Sequence, residues 1–222
     1  MQNLAVIPAR SGSQRIKDKN IKMIDGHPLM YYQIECAKNV KDIRKTVVAT
    51  DSVRYSEIAK SLGAEVIMRP TDISGPNSQV EETLLYVISE LEKEGEFFDN
   101  VVLLQATSPL NRPEYVQEGI DCMRLGISKS VITYYNFIDF LLDDPEIMDR
   151  PMSQNKKPKK TEAGCFWITD VKALKVSRNR ICSPCATVEV PKIASWEIDS
   201  PDDFRVVEAL LKMERNEKEN YR

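Results

Sequence analysis

The chain has 222 residues, of which 42% are hydrophobic and 29% charged, an ordinary composition for a globular protein with a substantial core. This length predicts one large domain, 1–222, and the formal net charge of −3 gives no overall positive field that would attract nucleic acid. No apolar run reaches the roughly 20 residues that cross a bilayer, and the N-terminal residues lack the basic start of a signal peptide. We therefore expect a cytoplasmic protein without membrane or nucleic-acid partners.

Apolar runs and helical periodicities alternate along the chain. Short apolar runs predict strands at residues 3–8, 45–50, 64–68, 100–106, 129–135, 163–169, 186–191 and 194–199. Helical spacing predicts helices at residues 28–39, 56–63, 78–95, 112–126 and 200–222. Ser200 and Asp203 are expected to cap the last helix. Continuous apolar strands between helices indicate an α/β fold, in which helices cover both faces of a mostly parallel sheet.

Residues 136–161 interrupt this alternation with acidic and basic patches and three prolines. A loop this long within a compact domain is a functional loop, an interface arm or a disordered segment. Its basic run at 155–160 is open to three interpretations: a localisation signal, a solvated loop, or a contact with a charged substrate.

The cysteines at 36, 122, 165, 182 and 185 are scattered, which predicts reduced thiols. Cys182 and Cys185 have C-x-x-C spacing, and an incidental disulfide or metal site is the alternative for this pair. A zinc site would need two more ligands, and His27 is the only histidine.

The loop after the first strand, residues 9–20, combines small residues with positive charge. In a parallel sheet, ligands bind outside the carboxyl ends of the strands, where this loop lies. It matches neither G-x-G-x-x-G nor the P-loop pattern. Small side chains let backbone N–H groups approach an anion, and arginine and lysine supply charge for phosphate. Phosphate binding and a merely solvated loop both fit its small residues, Ser11, Gly12 and Ser13, and its cations, Arg10, Arg15, Lys17 and Lys19.

Acidic residues after two predicted strands suggest a metal site. Asp51 ends the second strand, and Glu197 and Asp199 flank Ile198, so that on an extended strand they point to one side. Two carboxylates close to phosphates suit Mg²⁺. A polar strand face or a helix-capping acid is the alternative.

An ordered series of motifs resembles the acylneuraminate cytidylyltransferases, also called CMP-sugar acid synthetases, which activate sialic acid and related nonulosonic acids. The resemblance extends over most of the chain and rests on several motifs in the family's order. The matching stretches are VIPARSGSQRIKDKNI (6–21), KMIDGHPLMYYQIECA (22–37), VVATDS (47–52), SLGAEVIMRP (61–70), LLQATSPL (103–110), AGCFWIT (163–169) and SWEIDSPDDF (195–204).

The resemblance implies a Rossmann-like nucleotidyltransferase fold, a three-layer αβα arrangement with a mostly parallel mixed sheet. It implies that 136–161 is an inserted dimerisation arm and that the protein is a homodimer. The implied reaction couples CTP to a 2-keto sugar acid, depends on Mg²⁺ and releases pyrophosphate.

Carried over by position, the resemblance also implies site residues. Nucleotide binding would fall to Arg10, Ser11, Gly12, Ser13, Lys19, Asn20, Arg69 and Ser78. Sugar-acid binding would fall to Gln105, Thr107 and Ser108, and Mg²⁺ would bind Asp199 with Glu197. Arg10 and Lys19 would act in catalysis by neutralising charge.

The chain departs from the family pattern at three places. Gln14 and Glu197 stand where lysine and aspartate are usual, and the arm lacks the usual arginine. The lysines that could supply this charge are Lys156, Lys157, Lys159 and Lys160. Two alternatives therefore stay open: a nucleotidyltransferase for another acidic sugar, and a nucleotide-binding regulatory protein without turnover. An NAD-dependent reductase would need the absent glycine fingerprint.

Overall fold

A computed structural model describes residues 1–75, 77–138, 148 and 152–220. The strands are β1 (Asn3–Pro8), β2 (Met23–Ile24), β3 (His27–Pro28), β4 (Ile43–Thr50), β5 (Glu65–Met68), β6 (Asn100–Leu104), β7 (Ser130–Phe137), β8 (Lys159–Asp170) and β9 (Cys185–Glu189). The α-helices are α1 (Met30–Lys38), α2 (Val53–Ser61), α3 (Val80–Lys93), α4 (Pro113–Arg124), α5 (Val171–Ser177) and α6 (Pro201–Asn220). Among the helices in these ranges, none combines the length and apolar character that crossing a bilayer requires.

The main sheet has the strand order β5-β4-β1-β6-β8-β7-β9. Strand β8 runs antiparallel to both of its neighbours, and the other neighbouring pairs are parallel. The predicted mostly parallel mixed sheet is confirmed. Because β5, β4, β1 and β6 are mutually parallel, the loops that follow them emerge at one edge of the sheet.

Alternate side chains of the strands enter separate cores on the two faces of the sheet. On β1, Ala5 and Ile7 belong to the core beneath α1, α2 and α4. Leu4 and Val6 belong to the core beneath α3 and α5. These two cores on a shared sheet confirm the three-layer prediction.

A third, smaller cluster ties the loops together next to α6. Ile16 of the first loop packs with Leu110, Ile198 and Phe204, and all of them are buried. The bonds between Ser200 and Asp203 form the predicted cap of α6: Ser200 N donates to Asp203 Oδ2 at 2.7 Å, and Asp203 N donates to Ser200 Oγ at 3.2 Å.

The predicted strand at 194–199 is wrong. Residues Lys192–Ser195 form a 3-10 helix, and 196–199 pair with no strand of the described sheet. The reason is a hydrogen bond that leads away from the sheet, since Ile198 N donates to Thr107 O at 2.8 Å. Helix α5 and the β2–β3 hairpin were not predicted, because each is too short to show a period.

The predicted arm at 136–161 is described only at its ends, and residues 139–147 and 149–151 lie outside the described residues. Phe137 of β7 pairs with Lys159 of β8, so the segment leaves and rejoins the sheet at one point. All five cysteines are free thiols, with Cys182 buried and Cys185 exposed.

Gly119 of α4 lies directly against β8. A Cβ atom at this position would come 2.7 Å from Phe166 Cε2 and 2.9 Å from Ile168 Cδ1. Both of these side chains are fully buried, so neither has room to withdraw. The absence of a side chain at residue 119 therefore sets how closely the helix packs on the sheet.

Replacing Gly119 by valine should lower the free energy of unfolding by about 1–3 kcal/mol, because the added carbons overpack this contact. Urea unfolding would measure the loss. The control is Glu118→Val on the exposed side of the same helix, which introduces the same side chain without the contact. Because valine is a better helix former than glycine, unchanged or increased stability of the Gly119 variant would show that the contact with β8 is not tight.

Candidate functional site

A cavity of about 250 Å³ opens at the carboxyl ends of the parallel strands. Eight of the sequence-predicted residues line it: Arg10, Ser13, Lys19, Asn20, Arg69, Ser78, Gln105 and Thr107. They come from three separate loops, those after β1, β5 and β6, which the strand order brings to one edge of the sheet. The structure thus gathers most of the predicted nucleotide residues, together with two of the predicted sugar-acid residues, around one space.

A second cavity, of about 410 Å³, adjoins the first and shares Gln105 with it. Its other lining residues are Tyr135, Glu162, Ala163, Gly164, Trp167, Arg180, Ser195 and Glu197. Of these, Glu197 alone was predicted as a site residue. Trp167 lies within the motif AGCFWIT but was not predicted as a site residue, and Glu162 of β8 and the loop residue Arg180 lie outside every motif of the resemblance, so no sequence signal pointed to them.

The first loop is fixed in place by bonds from neighbouring elements. Asp51 accepts hydrogen bonds from the backbone N of Ser11 at 2.7 Å and from its hydroxyl at 2.9 Å. Asn20 Nδ2 donates to the carbonyl of Arg10 at 3.0 Å and closes the loop. Asp51 therefore acts as a support for the loop in this structure. Ser11 and Gly12 are not among the residues that line the cavity.

Two arginines concentrate positive charge on the wall of the 250 Å³ cavity. Arg10 Nη1 donates to Gly75 O at 3.0 Å, and Arg69 donates from Nη2 to Ile73 O. Arg69 is only 7% exposed, and its Nε has no hydrogen-bond partner in the described part of the chain. Burial lowers the pKa of Arg69, Asp51 opposes this shift, and the charge of Arg10 adds to it. An anion between the two guanidinium groups would supply the missing acceptor and charge.

Lys19 joins the first loop to the segment that precedes α6. Its ammonium donates to Ile198 O at 2.7 Å and to Asp199 Oδ1 at 3.1 Å. Asp199 thereby lies beside the first loop, although its carboxylate remains 56% exposed. One cationic side chain thus contacts both the cavity and the predicted metal ligand.

Glu197 has different hydrogen-bond partners from Asp199. Its Oε1 accepts hydrogen bonds from Gln105 Nε2 at 3.1 Å and Ser108 Oγ at 3.4 Å. Burial and the nearby charge of Asp199 raise the pKa of Glu197 to about 7. Ser108 is fully buried, supports Glu197 through this bond and lines neither cavity. Within the described residues, no group of three or more Asp, Glu, His or Cys side chains forms a ready metal cage.

Gly164 allows Glu197 to lie against the backbone of β8. Its φ is +67°, and an added Cβ would overlap Glu197 Oε1 and lie 3.1 Å from Glu197 Cδ. The position of this carboxylate therefore depends on a residue without a side chain.

Replacing Gly164 by alanine should destabilise the protein by the strain of a left-handed residue, about 1–2 kcal/mol, and by a further 1–3 kcal/mol, roughly, for the clash with Glu197. Gly126→Ala is the matched control, because Gly126 has φ +73° and open space around it. The difference between the two variants in urea unfolding measures the contact with Glu197. If both lose the same stability, Glu197 does not press on residue 164.

Known proteins with similar sequences are cytidylyltransferases. A CMP-N,N'-diacetyllegionaminic acid synthase of Legionella pneumophila is 30% identical, over 96% of this chain and 97% of that protein. A pseudaminic acid cytidylyltransferase of Campylobacter jejuni is 27% identical over similar shares of both chains, 96% and 97%. An N-acylneuraminate cytidylyltransferase of Streptococcus agalactiae is 27% identical over 92% of this chain, which spans 52% of that longer protein.

A solved structure of a CMP:2-keto-3-deoxy-manno-octonic acid synthetase, complexed with CTP, superposes with a TM-score of 0.74. It is 20% identical, over 96% of this chain and all of that one, which shows that the two share a fold. The sequence model of the family described as cytidylyltransferase matches residues 4–126. With this match over more than half of its length, and with a relative 30% identical from end to end, the chain belongs to the cytidylyltransferase family.

Proposed function

We propose that this protein couples CTP to a nonulosonic, sialic acid-like sugar acid and releases pyrophosphate. The observation that carries the proposal is the pair Arg10 and Arg69 on the wall of the 250 Å³ cavity, with a buried Arg69 Nε that lacks an acceptor. A triphosphate is the anion that the family's nucleotide substrate would place there. The full-length relatives that act on legionaminic and pseudaminic acid support the class of acceptor.

The nucleotide is proposed to occupy the smaller cavity. Arg10, Arg69 and Lys19 would contact phosphate oxygens, and the backbone of Ser13, which lines the same cavity, would approach them closely because its side chain is small. Asn20 and Ser78 line the same space and would contact the ribose or base. Other parts of the fold hold these three cationic side chains in place. They would therefore need to move little when negative charge develops on the phosphates in the transition state.

The sugar acid is proposed to occupy the larger cavity. Gln105 lies on the wall of both cavities, so an acceptor in one would lie next to the α-phosphorus of a nucleotide in the other. Thr107 and Ser108 continue the same loop, with Thr107 on the nucleotide side. The anomeric hydroxyl would attack the α-phosphorus in line and pyrophosphate would leave, with positioning and charge neutralisation as the protein's contribution.

Mg²⁺ is the proposed cofactor, held by Asp199 with Glu197. The residues fit, because a largely buried carboxylate close to a second one is a site of excess negative charge, and oxygen donors are what Mg²⁺ prefers. When bound, Mg²⁺ supplies charge neutralisation to the triphosphate. Lys19 holds Asp199 next to the cavity, and Gly164, Gln105 and Ser108 hold Glu197.

The direct test is pyrophosphate release from CTP. The protein would be incubated with CTP, Mg²⁺ and, in turn, N-acylneuraminic, legionaminic and pseudaminic acid. We expect release with at least one of them, dependence on that sugar acid, and loss of release when EDTA replaces Mg²⁺. CTP binding without release from any acid would contradict the proposal and favour a regulatory protein.

Replacing Arg69 by alanine should weaken CTP binding at least tenfold, because hydrogen bonds to charged groups contribute about 1.5–3 kcal/mol. Calorimetric titration with CTP would measure the change. Arg205→Ala removes the same charge from an exposed position of α6 and should leave binding unchanged. Equal CTP affinities in the Arg69 variant and the wild type would remove this residue from the nucleotide site.

The chain is further proposed to work as one domain and as a homodimer through the arm at 136–161. Support comes from the ends of this segment, which project from paired residues of β7 and β8. Sedimentation velocity at micromolar concentration would reveal a species of twice the chain mass. A monomer at all concentrations would contradict the dimer.

A further inference from the structure

The larger cavity has a charge that does not suit an acidic substrate. Two carboxylates, Glu162 and Glu197, lie on its wall. Arg180 is the single cationic side chain among its described lining residues. An anionic ligand in this cavity would be repelled by the two acids, so its affinity would depend on the arginine.

The guanidinium of Arg180 is held in place on two sides. Its Nη1 pairs with Glu81 Oε1 of α3 at 2.7 Å. Its planar group lies over the ring of Trp167, 4.9 Å from the ring centroid. These contacts leave the Nε–H buried and without a hydrogen-bond partner among the described residues. A buried donor without an acceptor is costly, and an oxygen of a ligand in the adjoining cavity would remove that cost.

The loop that carries Arg180 is fixed to the sheet by its backbone. Thr169 Oγ1 donates to Arg180 O at 2.6 Å. Two residues further on, Cys182 N donates to Ser130 Oγ at 2.9 Å, and this hydroxyl donates to Cys182 O at 2.7 Å. The arginine therefore extends from a rigid support, which a residue needs in order to bind a charged group in one fixed position.

Two lysines of the arm do not line the cavity. Lys160 places its ammonium over the ring of Tyr134, 4.3 Å from the centroid. Lys156 is 6% exposed and does not belong to the wall of either cavity. The lysines of the arm, which the sequence offered as substitutes for its missing arginine, are thus not among the described residues that line this cavity.

We propose that Arg180 binds the carboxylate of the sugar acid and so determines that the enzyme accepts an acid. The proposal rests on the proposed function, because it assumes that the larger cavity takes the acceptor. It assigns the positive charge that selects an acidic substrate to the loop after α5 rather than to the arm. Glu81 and Trp167 act as positioning residues, which hold the guanidinium at the wall of the cavity.

The test compares Arg180→Gln with Arg178→Gln in the full chain. Arg178 is exposed on the same loop and outside the cavity, so its replacement removes the same charge without touching the site. Binding of each of the three sugar acids would be measured by calorimetry in EDTA, and CTP binding separately. We expect Arg180→Gln to weaken binding of the sugar acid at least tenfold and to leave CTP binding unchanged. Arg178→Gln should match the wild type, and Arg180→Lys should recover part of the loss.

A second measurement identifies the group that Arg180 contacts. The methyl ester of the sugar acid lacks the negative charge, so the wild type should bind it at least tenfold more weakly than the acid. In Arg180→Gln this preference should disappear, because the residue that detects the charge is absent. A preserved preference in the variant would overturn the proposal.

Three other outcomes would overturn it too. The first is equal affinity of wild type and Arg180→Gln for the acid, and the second is no sugar-acid binding by the wild type. The third is a parallel loss of CTP and sugar-acid binding with a lowered melting temperature.

Pyrophosphate release tests the proposed function separately. Binding that depends on Arg180 without any pyrophosphate release would refute the transferase reaction and leave the carboxylate site standing. Pyrophosphate release that is unaffected by Arg180→Gln would refute the carboxylate site and leave the transferase reaction standing.

Discussion

The ammonium group of Lys19 joins the first loop of the chain to its last turn before α6. Its two bonds, to Ile198 O at 2.7 Å and to Asp199 Oδ1 at 3.1 Å, bridge residues about 180 positions apart. Closing so long a loop has a large entropic cost, which the buried cluster of Ile16, Ile198 and Phe204 helps to offset next to the link. The cavity has its shape because these two segments meet.

This link also explains how a mostly acidic turn can lie near the proposed phosphate site. Without a cation between them, Asp199 and an incoming triphosphate would repel each other. Lys19 belongs to the cavity wall and to the Asp199 ion pair at once, so it screens one charge from the other. Asp51 plays a related part on the opposite side, since its charge favours the protonated form of Arg69 while its oxygens hold Ser11.

The layered fold and the edge of the sheet where the loops meet could be predicted from the sequence by simple rules, whereas the individual nucleotide residues came from the resemblance to the cytidylyltransferases and their roles stay predictions. Apolar runs separated by helices specify the layers, and parallel strands bring Arg10, Arg69 and Gln105 to one edge. The departure of 194–199 from the predicted strand could not be foreseen, since it depends on the bond from Ile198 N to Thr107 O, a contact between distant segments. Arg180 was missed for the same reason, because the cavity next to it exists only after folding.

The larger cavity shows how burial and charge work against each other in such a site. Glu197 is buried deeply enough for its pKa to rise to about 7, and Trp167 Nε1 donates to Glu162 Oε1 at 2.8 Å, which keeps that second carboxylate fixed. A wall made only of these groups would exclude any acid. The proposed role of Arg180 is to attract a carboxylate at one point of this otherwise repulsive wall. Its bond to Glu81 partly neutralises its positive charge. An acid would thus be admitted in one orientation, with its carboxylate at Arg180.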